Sequence, residues 1–275
     1  MIKPLTLFAI LTVLMLGCKT NPPTSPDITP TGNVTLNLRV DNSSNIFAAS
    51  KVVLIEDFAN VSCNPCVISN IIIERLTNET YGRNKLVAVK FPTNFPAPND
   101  LFYLAAKEIC DSRISYYNVF YAPTTVIDGV SKPISTDSTS VKAAIDTRLA
   151  VAPRFDVNVN ATLEGDYIIN VDVKFVDTTG ISLNNLIINA VVTETDIEFE
   201  QAPGSNGETK FFDVTRLMLP STGGASIRQL INQGELSFHF IDALLSSWNL
   251  ENINTVVFIQ DQSSKEIFQT GSTFE

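Results

Sequence analysis

Residues 51–66 read KVVLIEDFANVSCNPC, and the rest of the chain is organised around them. Residues 52–58 form a near-continuous apolar run of strand length, the pattern of a strand covered on both faces. A short polar turn, residues 59–62, leads into Cys63-Asn64-Pro65-Cys66. Pro65 suits the first turn of a helix, where its missing N–H leaves no bond unmade. Beyond it Val67, Ile68, Ile71, Ile72 and Leu76 recur at helical spacing. A buried strand therefore delivers two cysteines to a helix N-terminus, where partial positive charge favours a thiolate. That is an arrangement for dithiol chemistry.

Three positions apart across a helix start, both sulfurs lie on one side and can close a disulfide or hold a metal. As a purely structural link, a disulfide closing so short a ring stabilises by only about 2 kcal/mol. A closed zinc site needs four ligands, and only Cys110 and His239 remain as soft partners. A redox dithiol is the leading reading, with a structural disulfide and a metal pair behind it. It requires no cofactor, and neither a cofactor nor a metal is expected.

Working outward, the 275 residues suffice for two modest domains, and 44% hydrophobic residues let each bury a core. A formal charge of −10 argues against nucleic acid or an anionic membrane surface as partner. The first 17 residues read as a signal peptide: Lys3 is the positive start, and the apolar run 5–16 is too short to span a bilayer. It ends in Leu14-Met15-Leu16-Gly17-Cys18, which resembles a bacterial lipobox with Leu16 where a small residue is usual. Cys18 is thus the expected lipidation site. Residues 18–32 follow as a tether carrying Pro22, Pro23, Pro26 and Pro30, with a reach of about 40 Å. Lys19 after the cysteine resembles lipoproteins sorted to the outer membrane, so an anchor in the bacterial cell envelope is expected.

In residues 33–151, Val34, Leu36, Leu38 and Val40 alternate as a strand at the edge of the first domain. The central strand and dithiol helix follow, then a second apolar run at 86–91, parallel to the first across a helical crossover. Pro92, Pro96 and Pro98 mark a loop. A helix is expected over 101–112, with Cys110 beside its apolar stripe as a buried, inert thiol. Tyr121-Ala122-Pro123 opens another strand, Asp128-Gly129 signals a hairpin, and residues 138–150 close the domain as a helix.

The order of strand, dithiol helix, strand, helix, proline-led hairpin and helix resembles a thioredoxin-like domain over residues 51–150. Asp57, Lys90 and Pro123 match that family's buried acid, the lysine approaching it and the cis-proline facing the dithiol. Ser62 and Asn64-Pro65 depart from the family's tryptophan and Gly-Pro. The resemblance implies Cys63 as exposed nucleophile, Cys66 as resolving thiol and Asp57 as proton acceptor. It also implies that the backbone of Ala122, before Pro123, pairs with an extended substrate.

From residue 152 the pattern changes. Phe155, Val157, Val159 and Ala161 alternate with polar residues, as do Tyr167, Ile169, Val171, Val173 and Phe175. Further strands are expected at 186–193, 212–219, 236–241, 255–262 and 266–270, forming an immunoglobulin-like antiparallel sandwich. His239 is read as structural and Trp248 as core or inter-domain packing. All the implied catalytic residues precede position 150, so a fragment ending there is expected to keep the chemistry. Taken whole, the chain resembles outer-membrane lipoproteins related to a twenty-eight-kilodalton outer membrane protein. The residues that carry this are the lipobox, the CxxC, Asp213-Val214-Thr215-Arg216 and the ending Lys265-Glu266-Ile267-Phe268-Gln269. Two functions are then expected: a tethered thiol–disulfide oxidoreductase acting on exported proteins, or a non-enzymatic surface lipoprotein, a binding or adhesion module with a static disulfide in a thioredoxin-like scaffold.

Overall fold

The structure is a computed structural model that describes residues 33–37, 49–228 and 235–274. The signal segment, Cys18 and the tether lie outside the described residues. β2 (Val53–Ala59) is buried along its whole length, as a near-continuous apolar run predicts, and Glu56 and Asp57 are buried with it. It runs parallel to β3 (Leu86–Pro92) and antiparallel to β4 (Thr124–Ile127). α1 (Asn64–Arg75), extended by one π-helical turn at Leu76–Thr80, makes the crossover from β2 to β3. Where one helix was expected over 101–112 there are two, α2 (Leu101–Ala105) and α3 (Lys107–Tyr117). Ala106 leaves helical backbone between them. α4 (Ser138–Leu149) starts at Asp137, whose side chain accepts from Thr139 N–H.

The alternation of β2 distributes the core. Val53 and Ile55 point with Ile73, Leu76, Val141 and Ile145 towards α1 and α4. Leu54 and Phe58 face the α2–α3 side with Phe91, Tyr103 and Tyr117.

β5 (Phe155–Glu164) and β6 (Asp166–Phe175) form the long hairpin that their alternation predicts. β7 (Leu186–Glu194) is followed by the short β8 (Ile197–Glu198) and β9 (Lys210–Phe211), then β10 (Val214–Leu219) and β11 (Ala225–Ser226). β12 (Glu235–Asp242), β13 (Ile253–Asp261) and β14 (Ile267–Ser272) complete the chain. One sheet has the order β1-β12-β6-β5, where β1 is Asn33–Asn37. β1 therefore pairs with β12 rather than lying at the edge of the dithiol sheet, as its position in the sequence had suggested. His239 is on β12, and Trp248 is half-buried against the core shared by these strands.

The second sheet is continuous through both halves of the chain, in the order β14-β13-β7-β10-β3-β2-β4. The link is a parallel contact between β10 and β3. Lys90 N–H donates to the Asp213 carbonyl (2.8 Å), and Thr215 Oγ1 donates to the Lys90 carbonyl (2.8 Å). One face of β7, β10 and β13 packs on the antiparallel sheet through Ile188, Ala190, Leu217 and Val257. The other face carries Val191, Met218, Val256 and Phe258 into the same core as Phe58, Phe91 and Tyr117. The mixed α/β architecture thus has a sheet that neither half completes alone.

A second seam lies at the other end of β2. The Asp128-Gly129 turn forms, but its return arm is a single bridge, Ile127 to Ser131, because the β13–β14 turn occupies the adjoining space. Ile267 N–H donates to the Asp128 carbonyl (2.9 Å), and a Cβ on Gly129 would stand 1.9 Å from the Lys265 carbonyl oxygen. Fully buried, the Asp128 carboxylate accepts from Lys51 Nζ (2.8 Å), Arg148 Nε (2.9 Å) and Leu54 N–H (2.9 Å). Arg148 reaches on to Glu266 (2.7 Å), and Gln269 accepts from Val52 N–H (3.0 Å) while donating to the Ser50 carbonyl (2.8 Å). The Lys-Glu-x-x-Gln ending is therefore the clasp that holds the C-terminal strands on the dithiol half.

Candidate functional site

Two side chains shape the turn before the cysteines. Asn60 donates to the carbonyls of Thr93 (2.6 Å) and Ala97 (2.9 Å), and its Oδ1 accepts from Ser62 N–H (2.9 Å). Asp100 accepts from Val61 N–H (2.8 Å) with one oxygen and caps α2 with the other. Cys63 is the N-cap of α1, in extended backbone, and Pro65 falls in the first turn. Cys63 and Cys66 are joined in a disulfide, their Cα atoms 5.3 Å apart. The Ala122–Pro123 peptide is cis, and Ala122 packs against both cysteines and Ala59.

Asp57 lies on β2 beneath α1, 1% exposed. Burial pushes its carboxyl up to about 6, against the opposing pull of Lys90 and a hydrogen bond from Thr125 Oγ1 (3.3 Å). Its Oδ2 has no partner among the described residues. Lys90, in register with Asp57 on β3, does not pair with it directly: its Nζ donates to Asn70 Oδ1 (2.7 Å). Asp57 faces a cavity of about 400 Å³ between α1 and the sheet. The far wall comes from the C-terminal half, through Asn206, Glu208 and Asp213.

That half also covers the dithiol. Phe199 and Phe211, at the base of the β8–β9 loop, pack on Phe102 at centroid distances of 5.9 and 5.0 Å, beside Val61. They hold residues 203–208 against the turn: Asn206 N–H donates to the Val61 carbonyl (3.2 Å), and Ser205 N–H to Ser62 Oγ (3.3 Å). A Cβ on Gly204 would meet the Val61 carbonyl oxygen at 2.1 Å, so only glycine allows this approach. Cys63 is left 2% exposed and Cys66 fully buried. This corrects the expectation of an exposed Cys63 in the oxidised chain. The C-terminal half, expected to stand apart from the dithiol, thus packs directly on the turn that carries it.

Nothing in the loop sequence pointed here. FEQAPGSNGET has the composition of a turn cluster, and only its length signals more than a simple connection. The two residues considered as further metal ligands lie elsewhere, Cys110 buried on α3 and His239 on β12. Burial raises the Cys110 thiol well above its ordinary range, which keeps it inert. Among the described residues no three His, Cys, Asp or Glu side chains gather as metal ligands, and no helix is long and apolar enough to cross a membrane.

With this geometry in view, comparisons with known proteins are informative about fold. No family model matches the sequence, and no curated protein does. The chain is similar to HBP35 of Porphyromonas gingivalis, at 14% identity and a TM-score of 0.68, covering 82% of this chain and 76% of that one. It is similar also to a crystallographically solved protein of Agrobacterium tumefaciens, at 13% identity and a TM-score of 0.54, covering 82% and 93%. These likenesses extend over both halves and show a shared fold. A domain of the outer membrane lipoprotein Omp28 from P. gingivalis aligns with 44% of this chain and 88% of its own, at 17% identity. Its TM-score of 0.29 carries no argument.

The Asp57 carboxyl gives a pH signature. Its folded pKa of about 6 lies above the ordinary 3.8, so the native state keeps a proton that the unfolded chain releases. Its relative contribution to stability is complete below about 3.8 and lost as pH rises through about 6. Asp57→Asn is therefore expected to be more stable than the parent at pH 8, by about 2–3 kcal/mol, with the difference vanishing near pH 4. Urea denaturation at the two pH values checks this, and equal stability at pH 8 would show that Asp57 is not held out of water.

Proposed function

We propose that the chain is a membrane-anchored, thioredoxin-like lipoprotein whose Cys63–Cys66 pair exchanges with thiols and disulfides of exported proteins. The observation that carries this reading is the convergence of four features: a dithiol at a helix N-terminus, Ala122 packed against it, an orphan buried carboxylate below it and a cavity reaching that carboxylate. In this reading the thioredoxin-like part, expected over residues 33–151, starts after β1, and 152–275 is an immunoglobulin-like sandwich fused to it, with β1 paired to its β12 edge. The anchor is a lipid on Cys18, and the address is the outer membrane of a bacterial envelope. Anchor and address rest on the signal segment, Lys19 and the tether.

In the exchange, the Cys63 thiolate attacks a substrate disulfide, forming a mixed disulfide and expelling the substrate's other sulfur as a thiolate. Cys66 then passes its proton towards Asp57 and attacks Cys63, closing the disulfide and releasing the reduced substrate. The opposite direction runs through the same mixed disulfide. Phe120 and Tyr121, immediately before Ala122, present their rings to solvent at 81% and 68% exposure, which suits contact with a protein partner.

Cys66→Ser is expected to accumulate covalent complexes through Cys63, whereas Cys63→Ser accumulates none. Asp57→Asn slows resolution without blocking the first attack. Non-reducing electrophoresis of acid-quenched cells reads all three. A specific observation favours a second reading: Cys63 is 2% exposed beneath residues 203–208, as a static disulfide in a surface lipoprotein would be. If Cys66→Ser traps nothing beyond the Cys63→Ser background, that reading replaces the first.

A further inference from the structure

We propose that Glu208, on the β8–β9 loop of the C-terminal half, is a positioning residue that sets the proton affinity of Asp57, and with it the pH range in which Cys66 can give up its proton. Its use depends on the dithiol reading above; its test does not. Glu208 Oε1 accepts from Asn70 Nδ2 (2.7 Å), and its Oε2 accepts from Asn206 Nδ2 (2.6 Å). Because the Asn70 amide must turn its NH₂ to that carboxylate, its carbonyl oxygen faces the other way and accepts from Lys90 Nζ (2.7 Å). The Lys90 ammonium is thereby held at Asn70, and Asp57 Oδ2 keeps no partner among the described residues. The other donor of the chain, Asn206 Nδ2, also approaches the Cys63 carbonyl (3.5 Å), so one network joins the lysine, the loop and the dithiol.

Of the other charges around Asp57, the two further cations are already paired. From α1, Glu74 lines the same cavity, and Arg83 is paired with Asp213 (2.7 Å) on the loop entering β10. Lys210 at the rim is paired with Glu198. From β4 only the neutral Thr125 hydroxyl reaches Asp57. Lys90 and Glu208 are left as opposed influences: the lysine favours the Asp57 carboxylate, while Glu208 disfavours it by its own charge and by restraining the lysine. A merely structural Glu208 would hold the loop and leave the titration of Asp57 where it is.

The test is a carboxyl titration of the oxidised full-length protein, labelled with carbon-13 at aspartate, with the Asp57 resonance assigned through Asp57→Asn. In Glu208→Gln, which keeps an acceptor for Asn70 but removes the charge, the proton affinity of Asp57 is expected to fall at least about threefold. In Glu208→Ala, which also frees Asn70 and Lys90, it falls further. The pH dependence of disulfide reduction by dithiothreitol moves in the same direction. An Asp57 titration unchanged in Glu208→Gln overturns the proposal, whether or not Glu208→Ala folds. Because neither measurement involves an exported protein, a failed trapping experiment removes the proposed function and leaves this inference standing, and the converse also holds.

Discussion

A fragment ending after Ala150 is expected not to fold cooperatively. The sheet of the dithiol half ends at β3, whose outer edge is completed by β10 through Lys90, Asp213 and Thr215. Cutting there removes Val191, Met218, Val256 and Phe258 from the core that also contains Phe58, Phe91 and Tyr117. Burying each such side chain contributes about 1.5–3 kcal/mol. Their joint loss is of the order of the whole stability of a typical domain, about 5–15 kcal/mol. The same cut removes Glu266 and Gln269, leaving Lys51, Asp128 and Arg148 without their cover. Far-ultraviolet circular dichroism during urea titration of the fragment checks this. A sharp, reversible transition like that of the full chain would show that the halves are separable units joined by a dispensable contact.

Arg113→Met is expected to be the most damaging single substitution, at about 3–5 kcal/mol. Arg113 is the largest fully buried side chain among the described residues. It donates through Nε (2.9 Å) and Nη2 to Glu56, which is itself fully buried on the central strand. Tyr117 donates its hydroxyl proton to the other Glu56 oxygen, and Gln260 Nε2 from β13 donates to Tyr117 Oη (2.8 Å). The guanidinium also lies 4.8 and 4.9 Å from the ring centroids of Tyr116 and Tyr117. Removing it strands the Glu56 charge in an apolar interior. The double variant Glu56→Leu with Arg113→Met should recover most of the loss, since the unpaired carboxylate goes with its partner. Chemical denaturation of the single and double variants reads the difference. A double variant no better than Arg113→Met would mean that shape, not the stranded charge, is what the arginine supplies.

The elements were legible in the sequence because their patterns follow from burial. The near-continuous run 52–58 and the strict alternation at 155–161 and 167–175 correspond to β2, β5 and β6. The continuity of the sheet was signalled but read otherwise. Residues 186–193 and 255–259 are near-continuous apolar runs like that of β2, interrupted by Asn189, Thr193 and Thr255 but without the alternation of a half-exposed strand, which marks strands covered on both faces. In an ordinary two-sheet sandwich they would alternate. The second covering layer is α2 and α3, and it joins β7 and β13 to the dithiol half. At the site, Cys63, Cys66, Asp57 and Pro123 lie close together in sequence or at strand ends, where local pattern marks them. Asn70, Asn206 and Glu208 carry no such mark. They meet through a loop more than 130 residues from α1, and polar residues among glycine and serine read only as a turn.

The central claim is that Cys63–Cys66 is an exchanging dithiol, and an equilibrium redox titration of the full chain tests it most directly. The intact protein is equilibrated with graded ratios of oxidised and reduced glutathione, then with dithiothreitol, and free thiols are trapped and counted. The account predicts that the pair equilibrates reversibly at a potential above about −300 mV, within the span of thiol–disulfide oxidoreductases. A pair that stays closed below about −300 mV and exchanges with neither reagent would contradict it.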